Sequence, residues 1–308
     1  MIALIGSGPM AEKYLQVLAY RKEDVLVVGR NTEKAQTLAK KYGFAGIGGG
    51  AEKLSGHQDC AIVVTGVDTL KDITLTLLNK GIKNILIEKP GALDLKELEH
   101  LRDKMPEDAT IRIATNRRFY NSTILLRKHL TEDGGAIGLF FDFTDREKDI
   151  LLDRPAQVTA RWGFANSIHV IDTAFHIAGK PTLIKGLRTG EIANHPAGSI
   201  FVGHGQTEQC LFSYFATWNG GGRWDIEVST TKGRYKLSPL EELRFCEKNQ
   251  FEWKTIEQPD NDDDDFKPGL KKMLTAFLDR NEQFILLPTL TEQMETCNII
   301  NSIFGYSP

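Results

Sequence analysis

A glycine-rich segment near the start of the chain has the pattern of a phosphate-binding turn. Ile5-Gly6-Ser7-Gly8-Pro9-Met10-Ala11 fits the pattern G-x-G-x-x-G/A, after an apolar run and before a segment with helical spacing. Gly6 would allow a tight turn, Gly8 would let a pyrophosphate approach the backbone, and small Ala11 would let the helix pack closely. The free N–H groups of a helix N-terminus favour phosphate. The pattern therefore predicts dinucleotide binding at this turn.

The end of the second predicted strand indicates which dinucleotide is bound. NAD-binding domains usually place Asp or Glu here to hold the ribose 2′-hydroxyl. This chain instead reads Val28-Gly29-Arg30-Asn31-Thr32. A guanidinium can pair with a 2′-phosphate and stack on adenine. We therefore expect NADP to be preferred over NAD, with Arg30 as the selecting residue and Lys34 assisting.

Two further segments could act on a substrate. Lys89 follows Glu88 at the carboxyl end of a predicted strand, and ligands bind at that edge of an open α/β sheet. His169, Asp172 and His176 are spaced i, i+3 and i+7, so they share one helix face. An imidazole exchanges protons near neutral pH, and a neighbouring carboxylate could orient it. Lys89 and His169 are thus catalytic candidates, with Asp172 either orienting the histidine or belonging to a structural network.

These motifs occur in an order that resembles one known family. The glycine turn, Glu88-Lys89-Pro90, Asn116-Arg117-Arg118-Phe119-Tyr120 and His169-x-x-Asp172 together resemble the Gfo/Idh/MocA oxidoreductases over essentially the whole length. The resemblance implies an α/β Rossmann domain followed by an α+β domain with a large open, mostly antiparallel sheet. It implies hydride transfer between NAD(P) and a hydroxyl or keto carbon of a sugar, cyclitol or sugar derivative. It also implies a homo-oligomer, dimeric or tetrameric.

The same resemblance assigns roles to single residues. Lys89 would bind and polarise the reacting oxygen, His169 would be the general acid/base, and Pro90 would be a cis proline. The residues expected to line the substrate are Asn116, Arg118, Tyr120, Asn166 and His169. The residues expected to contact the cofactor are Gly6, Ser7, Gly8, Pro9, Met10, Arg30, Asn31, Thr65, Gly66, Glu88, Lys89 and Pro90. No metal site is expected.

The chain departs from the family pattern at one catalytic position. Many members carry Asp four residues before the histidine, as in D-x-G-x-H-x-x-D, and this chain has Ala165 there, followed by Asn166. A histidine that is frequent after the fourth strand is also absent from segment 67–71. Either the proton transfer depends on Lys89 and His169, or the chain is a non-catalytic sensor that binds NAD(P) and a ligand.

The predicted strands and helices that carry these residues divide the chain into two domains. Strand-like and helix-like segments alternate over the first 115 residues, which predicts a doubly wound parallel sheet with helices on both faces. The strands predicted there are Ile2–Ile5, Val25–Gly29, Cys60–Thr65, Asn84–Glu88 and Thr110–Thr115. We expect a dinucleotide-binding domain over 1–118 and a substrate-binding and oligomerisation domain over 119–308. The C-terminal helix of the second could pack back on the first.

The second half changes character, with more strands than helices. Helices are predicted over Phe119–Leu130 and Asn166–Ala178, and the strands include Ser199–Gly203 and Gln206–Trp218. The acidic run Asp260–Asp265 lacks the glycine and glutamate of a calcium loop. It is interpreted as a solvated loop whose charges favour the N-terminus of the following helix.

Composition excludes several classes of protein. The 308 residues include 38 Lys and Arg against 41 Asp and Glu, a net charge of −3. Such a balance gives no general attraction for nucleic acid or an anionic membrane, and no run reaches the ~18 apolar residues of a membrane span. The four cysteines are too scattered to suggest a zinc site or redox pair. We expect a cytoplasmic protein with a small-molecule substrate.

Overall fold

The computed structural model describes residues 1–150 and 154–306, which form two compact units. The first unit comprises Met1–Thr115 together with Asp264–Met294. The second comprises Asn116–Asp263 and the chain from Glu295 onward. Among the described residues, no helix has both the length and the apolar character needed to cross a membrane.

The described residues contain the following regular elements. The strands, in chain order, are β1 Ile2–Ile5, β2 Val25–Val28, β3 Ala45–Ile47, β4 Cys60–Val63, β5 Asn84–Glu88, β6 Thr110–Ala114, β7 Gly138–Asp142, β8 Pro181–Thr189, β9 Ile200–Thr207, β10 Leu211–Thr217, β11 Asp225–Ser229, β12 Gly233–Leu237, β13 Leu243–Glu247 and β14 Lys254–Thr255. The helices are α1 Pro9–Tyr20, α2 Thr32–Lys41, α3 Leu70–Asn79, α4 Leu95–Lys104, α5 Asn121–Glu132, α6 Glu147–Ile150, α7 Ala156–Thr159, α8 Ile168–Ala178, α9 Asp262–Asp265, α10 Leu270–Asp279 and α11 Leu290–Phe304.

The first unit contains a parallel sheet with the strand order β3-β2-β1-β4-β5-β6. Its central strands β1 and β4 are apolar and buried along their whole length, as expected for a sheet covered on both faces. The strand order reverses between β1 and β4, and in such folds a ligand binds at this point, outside the carboxyl ends of the strands. The predicted Rossmann fold is confirmed.

The edge strand β3 is absent from the prediction. It has three residues, Ala45–Ile47, and glycines lie on both sides at Gly43 and Gly48. So short a segment has no readable periodicity. It becomes a strand because Leu26–Val28 of β2 offer it a parallel partner in register.

The segment 264–294 belongs to the first unit, whereas the expected division at residue 118 returned only the C-terminal helix to that domain. Arg21 at the end of α1 donates to Thr275 Oγ1 at 2.9 Å and to Asp279 Oδ1 at 2.6 Å, both on α10. Leu270, Met273 and Leu274 of α10 are buried. The contacts join residues more than 250 positions apart, so no local pattern indicates them.

The second unit contains an eight-stranded sheet with the order β14-β13-β12-β11-β7-β10-β9-β8. Among the described strand pairs of this sheet, only β7 and β10 are parallel, which confirms the mostly antiparallel sheet. One face packs against α8 through aromatic rings. Phe175 of α8 lies 5.5 Å from Phe141 and 5.1 Å from Phe212, measured between ring centres.

The predicted strands Ser199–Gly203 and Gln206–Trp218 have the wrong boundaries. The observed turn falls at 208–210, where Thr207 Oγ1 accepts from the backbone N–H groups of Gln209 and Cys210. Gly203, which we expected to end a strand, and Gly205, which we expected between two strands, both lie inside β9. A Cβ at Gly203 would come 2.2 Å from Tyr214 Cζ, and one at Gly205 would come 2.5 Å from Phe212 Cζ. The glycines therefore make room for aromatic rings of the core.

Two carboxylates of the acidic run Asp260–Asp265 bind the start of α5. Asp263 Oδ2 accepts from the backbone N–H of Asn121 at 2.7 Å, and Asp260 Oδ1 accepts from the Asn121 side chain at 2.8 Å. Both carboxylates thus satisfy donors at the N-terminus of α5, which precedes them by about 140 residues.

Candidate functional site

The glycine turn between β1 and α1 has the geometry of a phosphate cradle. Gly6 has a φ of +138°, and a Cβ there would lie 2.1 Å from the carbonyl oxygen of Val64. A Cβ at Gly8 would instead meet no heavy atom within 4 Å. Gly8 is the N-cap residue of α1 and Pro9 is its first residue, with no side chain capping the helix. The N–H groups of the first turn are therefore available to an anion, and the residues fit a dinucleotide.

The end of β2 presents a cation where the adenosine ribose would be read. Arg30 is exposed, and no carboxylate occurs between Val28 and Thr32. Asn31 caps α2, its side chain accepting from the backbone N–H of Lys34 at 2.9 Å. Arg30 and Lys34 have no ion-pair partner in the described part of the chain.

The carboxyl ends of β4 and β5 supply the remaining residues expected near the cofactor. After β4, the Thr69 hydroxyl lies 2.9 Å from Thr65 Oγ1 and 2.8 Å from the carbonyl oxygen of Gly66. After β5, the Lys89–Pro90 peptide bond is cis, as the resemblance implied. Lys89 thus directly follows the strand edge at which ligands of this fold bind.

Glu88 ties the end of β5 to the first helix. Its Oε1 accepts from the hydroxyl of Tyr14 on α1 at 2.7 Å. Desolvation raises the pKa of Glu88, opposed by the charge of Lys89 beside it. Burial and the neighbouring carboxylate raise the pKa of Tyr14 well above its usual value, so the tyrosine stays a hydrogen-bond donor. This bond fixes the backbone from which Lys89 projects.

In the second unit, Asn116–Phe119 forms a 3-10 turn before α5, where the sequence predicted a helix from Phe119 onward. Arg118 in this turn makes a bidentate ion pair with Asp172 of α8. Its Nε and Nη2 lie 2.9 and 2.6 Å from the two carboxylate oxygens. Two side chains assigned to separate roles, substrate binding and catalysis, are therefore joined in one pair.

His169 lies at the start of α8, and its partner is Arg117. The helix begins at Ile168, after a π-helical turn over Gly163–Ser167, two residues later than predicted. Arg117 Nη1 is 2.5 Å from His169 Nδ1. The Arg117 guanidinium also lies 4.9 Å from the ring of Trp224, which is 5.8 Å from the His169 ring.

Asp145, which the sequence analysis did not identify, is a buried carboxylate that binds Trp224 beside Arg117 and His169. Asp145 follows β7, and four side-chain donors surround it: Oδ1 accepts from Asn166 at 2.8 Å and Trp224 at 3.1 Å, and Oδ2 accepts from Trp162 at 2.8 Å and Ser167 at 3.1 Å. Burial raises the pKa of Asp145 to about 6, which the four donors oppose. The expected substrate residue Asn166 therefore binds this carboxylate. An acidic residue straight after an apolar strand was the available signal.

His176, two turns along α8, is paired in the same way as His169. Arg127 Nη1 is 3.0 Å from His176 Nε2. Burial and the charges of Arg118 and Arg127 hold the pKa of His176 well below its usual value. The imidazole is therefore neutral.

A family model matches the first part of the chain. Residues 1–113 match the model described as "Oxidoreductase family, NAD-binding Rossmann fold". Residues 1–113 belong to the Gfo/Idh/MocA oxidoreductase family. The resemblance read from the motifs is thus confirmed. A search of curated protein sequences gives no match to the chain.

Solved structures resemble the whole chain, including the part beyond the Gfo/Idh/MocA model. A Gfo/Idh/MocA oxidoreductase from Vibrio cholerae has a TM-score of 0.78 at 18% identity, covering 99% of this chain and 96% of the other. UDP-N-acetylglucosamine 3-dehydrogenase from Acidithiobacillus ferrooxidans has a TM-score of 0.77 at 15% identity, covering 99% and 96%. Levoglucosan dehydrogenase, in complex with NADH and levoglucosan, has a TM-score of 0.76 at 17% identity, covering 98% and 95%. At these identities the likeness establishes the fold.

Proposed function

We propose that this chain is an NAD(P)-dependent oxidoreductase that moves a hydride between nicotinamide and a hydroxyl or keto carbon of a sugar, cyclitol or sugar derivative. The glycine turn supports this most directly, because Gly6 is locked by the Val64 carbonyl while Gly8 faces open space at the helix N-terminus. The names of two structural neighbours support the substrate class, since both are sugar dehydrogenases.

The residues of the first unit would hold the cofactor. The first turn of α1 would bind the pyrophosphate, and Ser7, Met10, Thr65 and Gly66 would line the groove on either side. When bound, the nicotinamide donates or accepts the hydride. The chain's own task is to orient the reacting carbon and stabilise charge on its oxygen.

Arg30 supports a preference for NADP. An exposed guanidinium at the end of β2 can bind a 2′-phosphate, whereas a ribose 2′-hydroxyl is usually bound by a carboxylate. We expect Arg30→Asp to reduce the ratio of kcat/KM with NADP⁺ to that with NAD⁺ at least tenfold. Lys13→Asp, a charge reversal elsewhere on the first unit, is the matched control. An unchanged ratio in Arg30→Asp, or equal use of both cofactors by the wild type, would show that NADP is not selected here.

Lys89 and His169 are assigned to the reacting oxygen. The Lys89 ammonium would stabilise the oxyanion that develops as the hydride moves, and His169 would hydrogen-bond the same oxygen. Asn116 and Tyr120 would line the substrate. Arg118 and Asp172 would hold the turn and α8 together, because each occupies the other's charged groups.

The decisive experiment compares Lys89→Ala with wild type on a panel of free and nucleotide-linked sugars, using NADP⁺ and NAD⁺ in parallel. Removing the ammonium should lower kcat at least a thousandfold while cofactor affinity, measured by quenching of tryptophan fluorescence, changes less than threefold. Lys83→Ala, which removes an exposed surface lysine, should retain full turnover. Turnover that survives in Lys89→Ala would overturn this role.

Ala165 favours a second candidate function, a non-catalytic sensor that binds NAD(P) and a ligand. Ala165 is buried in the π-helical turn before α8 and supplies no carboxylate. The same panel separates the two functions. Cofactor and sugar binding without turnover in the wild type would favour the sensor.

A further inference from the structure

The contact between Arg117 and His169 fixes where the imidazole can hold its proton. A guanidinium offers five N–H donors and no acceptor, and it remains protonated in proteins. Arg117 Nη1 reaches Nδ1 of His169, so Nδ1 must accept. A neutral imidazole that accepts at one nitrogen carries its proton on the other. The proton of His169 therefore lies on Nε2.

The surroundings of Arg117 hold the guanidinium in this position. It lies 4.9 Å from the centre of the Trp224 ring and 5.8 Å from that of Tyr120, distances at which a cation is attracted to an aromatic face. The Trp224 indole is fixed in turn, because its N–H donates to buried Asp145. Asp145 thus positions Trp224, and Trp224 contacts both Arg117 and His169.

We propose that Arg117 is a positioning residue that keeps His169 neutral with its proton on Nε2, so that His169 serves as a hydrogen-bond donor to the reacting oxygen and not as the general base. The inference rests on the proposed function for the role of the oxygen. An imidazolium would place two donors and two positive charges together at Nδ1, which opposes protonation. The proton is then assigned to Lys89: as a neutral amine it accepts the hydroxyl proton when the substrate is oxidised, and as the resulting ammonium it returns that proton when the substrate is reduced.

The charges around α8 within the second unit agree with a neutral histidine. Among the described residues of the second unit, the charged and titratable groups that face this helix include Arg117, Arg118, Arg127, Asp172 and His176, with Asp145 beyond Trp224. The one carboxylate of the helix, Asp172, is occupied by Arg118. Asp142 and Asp225 alternate along β7 and β11 with the core residues Phe141 and Ile226, so they point to the opposite face of the sheet.

The Arg127–His176 pair provides an internal comparison on the same helix. Arg127 reaches Nε2 of His176, so the same argument places the His176 proton on Nδ1. Two histidines of one helix should therefore carry opposite tautomers. This contrast does not depend on any substrate or cofactor.

The test is nitrogen NMR of protein labelled with ¹⁵N-histidine, which reports the protonation of both ring nitrogens without turnover. The signals of His169 and His176 are assigned by loss in His169→Gln and His176→Gln. We expect the Nε2–H form for His169, the Nδ1–H form for His176, and no charging of either between pH 8 and about pH 5.5. An Nδ1–H form of His169, or a titration near its ordinary pKa of about 6.5, would overturn the inference.

Variants of the two arginines complete the design. Arg117→Met should restore an ordinary titration to His169 and leave His176 unchanged, whereas Arg127→Met should affect His176 alone. Arg117→Lys keeps a charged donor and should keep the Nε2–H form. If Arg117→Met does not fold, the wild-type spectra and Arg117→Lys decide the question.

The pH profile separates this inference from the proposed function. Between pH 5.5 and pH 8, we expect kcat/KM to show no dependence on pH that disappears in the His169→Gln variant. Turnover with such a pH dependence would contradict the inference about His169 but would still support the proposed dehydrogenase function. Opposite tautomers in a protein without turnover would contradict the dehydrogenase and leave the tautomer assignment intact.

Discussion

At the scale of the residue, Arg118 and Asp172 form a buried ion pair in which each charge is compensated by the other. The two side chains are 13% and 4% exposed and are joined by two hydrogen bonds. Removing one partner of a buried pair leaves the other charge without compensation. The pair therefore stabilises the junction of the 3-10 turn with α8 only while both members are present.

We expect Arg118→Met to lower the free energy of unfolding by about 3–5 kcal/mol, the range found when one partner of a buried pair is deleted. The double variant Arg118→Met/Asp172→Leu should recover most of that loss, because no buried charge is left. Urea denaturation of the wild type, both single variants and the double variant measures the coupling. A loss below about 1 kcal/mol would place the pair in the class of surface salt bridges.

Asp145 and His195 make opposite contributions to stability as pH changes. Burial raises the pKa of Asp145 to about 6, so the folded state binds more protons than the unfolded state from about pH 4 to pH 6. Its contribution is present at the acid end and is lost as pH rises through this window. Burial lowers the pKa of His195 to about 4, so its contribution is present above about pH 6.5 and is lost as pH falls.

Each pKa shift changes the free energy of unfolding by about 3 kcal/mol across its pH range. The two pH dependences nearly cancel in the wild type, so single variants should reveal each of them. Asp145→Asn should make stability rise more steeply with pH between 4 and 6. His195→Gln should make it rise less steeply or fall. Urea unfolding at pH 4.5, 5.5 and 7 measures both slopes, and parallel curves for the three proteins would refute the assignment.

At the scale of the element, the turn from β1 to α1 contains two glycines that serve different purposes. Gly6 has a left-handed φ and no room for a Cβ beside the Val64 carbonyl, so the fold itself requires it. A Cβ at Gly8 would meet no protein atom, so the fold does not require glycine there. The missing side chain instead leaves space for a ligand at the N-terminus of α1.

Alanine at each glycine should therefore give opposite results. Gly6→Ala should lower the free energy of unfolding by about 1–3 kcal/mol or more, the strain of an unfavourable backbone conformation. Gly8→Ala should leave stability within about 0.5 kcal/mol and weaken NADPH binding at least tenfold. Urea denaturation and a fluorescence titration with NADPH measure the two effects. Equal NADPH affinity in Gly8→Ala and the wild type would mean that the cofactor does not approach this residue.

The same elements show which features could be predicted from sequence. The glycine turn, Lys89 after β5 and the helix bearing His169 are local, because strand, turn and spacing lie within a few residues of each other. The strand β3 becomes regular only through its pairing with β2. The Asp145 network could not be predicted either, since it joins residues 17 to 79 positions apart. Such contacts depend on the folded topology, which a single sequence does not display.

At the scale of the whole molecule, the eight-stranded sheet of the second unit exposes apolar side chains on one of its faces. Phe212 and Tyr214 of β10 are buried against the core, whereas the alternate residue Leu211 is 68% exposed. Leu187 of β8 is 79% exposed and is paired in register with Val202 of β9, itself opposite Phe215 of β10. Contiguous exposed apolar surface of this kind marks an interaction site.

We propose that a second copy of the chain covers this face, consistent with the homo-oligomer implied by the family resemblance. Leu187→Glu/Val202→Glu should place two carboxylates in the buried interface and convert the oligomer to monomer, because unpaired charges are costly to desolvate. Phe251→Glu alters a side chain that is 97% exposed, outside the strands, and should leave assembly unchanged. Sedimentation equilibrium across protein concentrations measures the mass of each variant. A wild type that sediments as a monomer of 34.5 kDa at all concentrations would show that another copy does not cover the face.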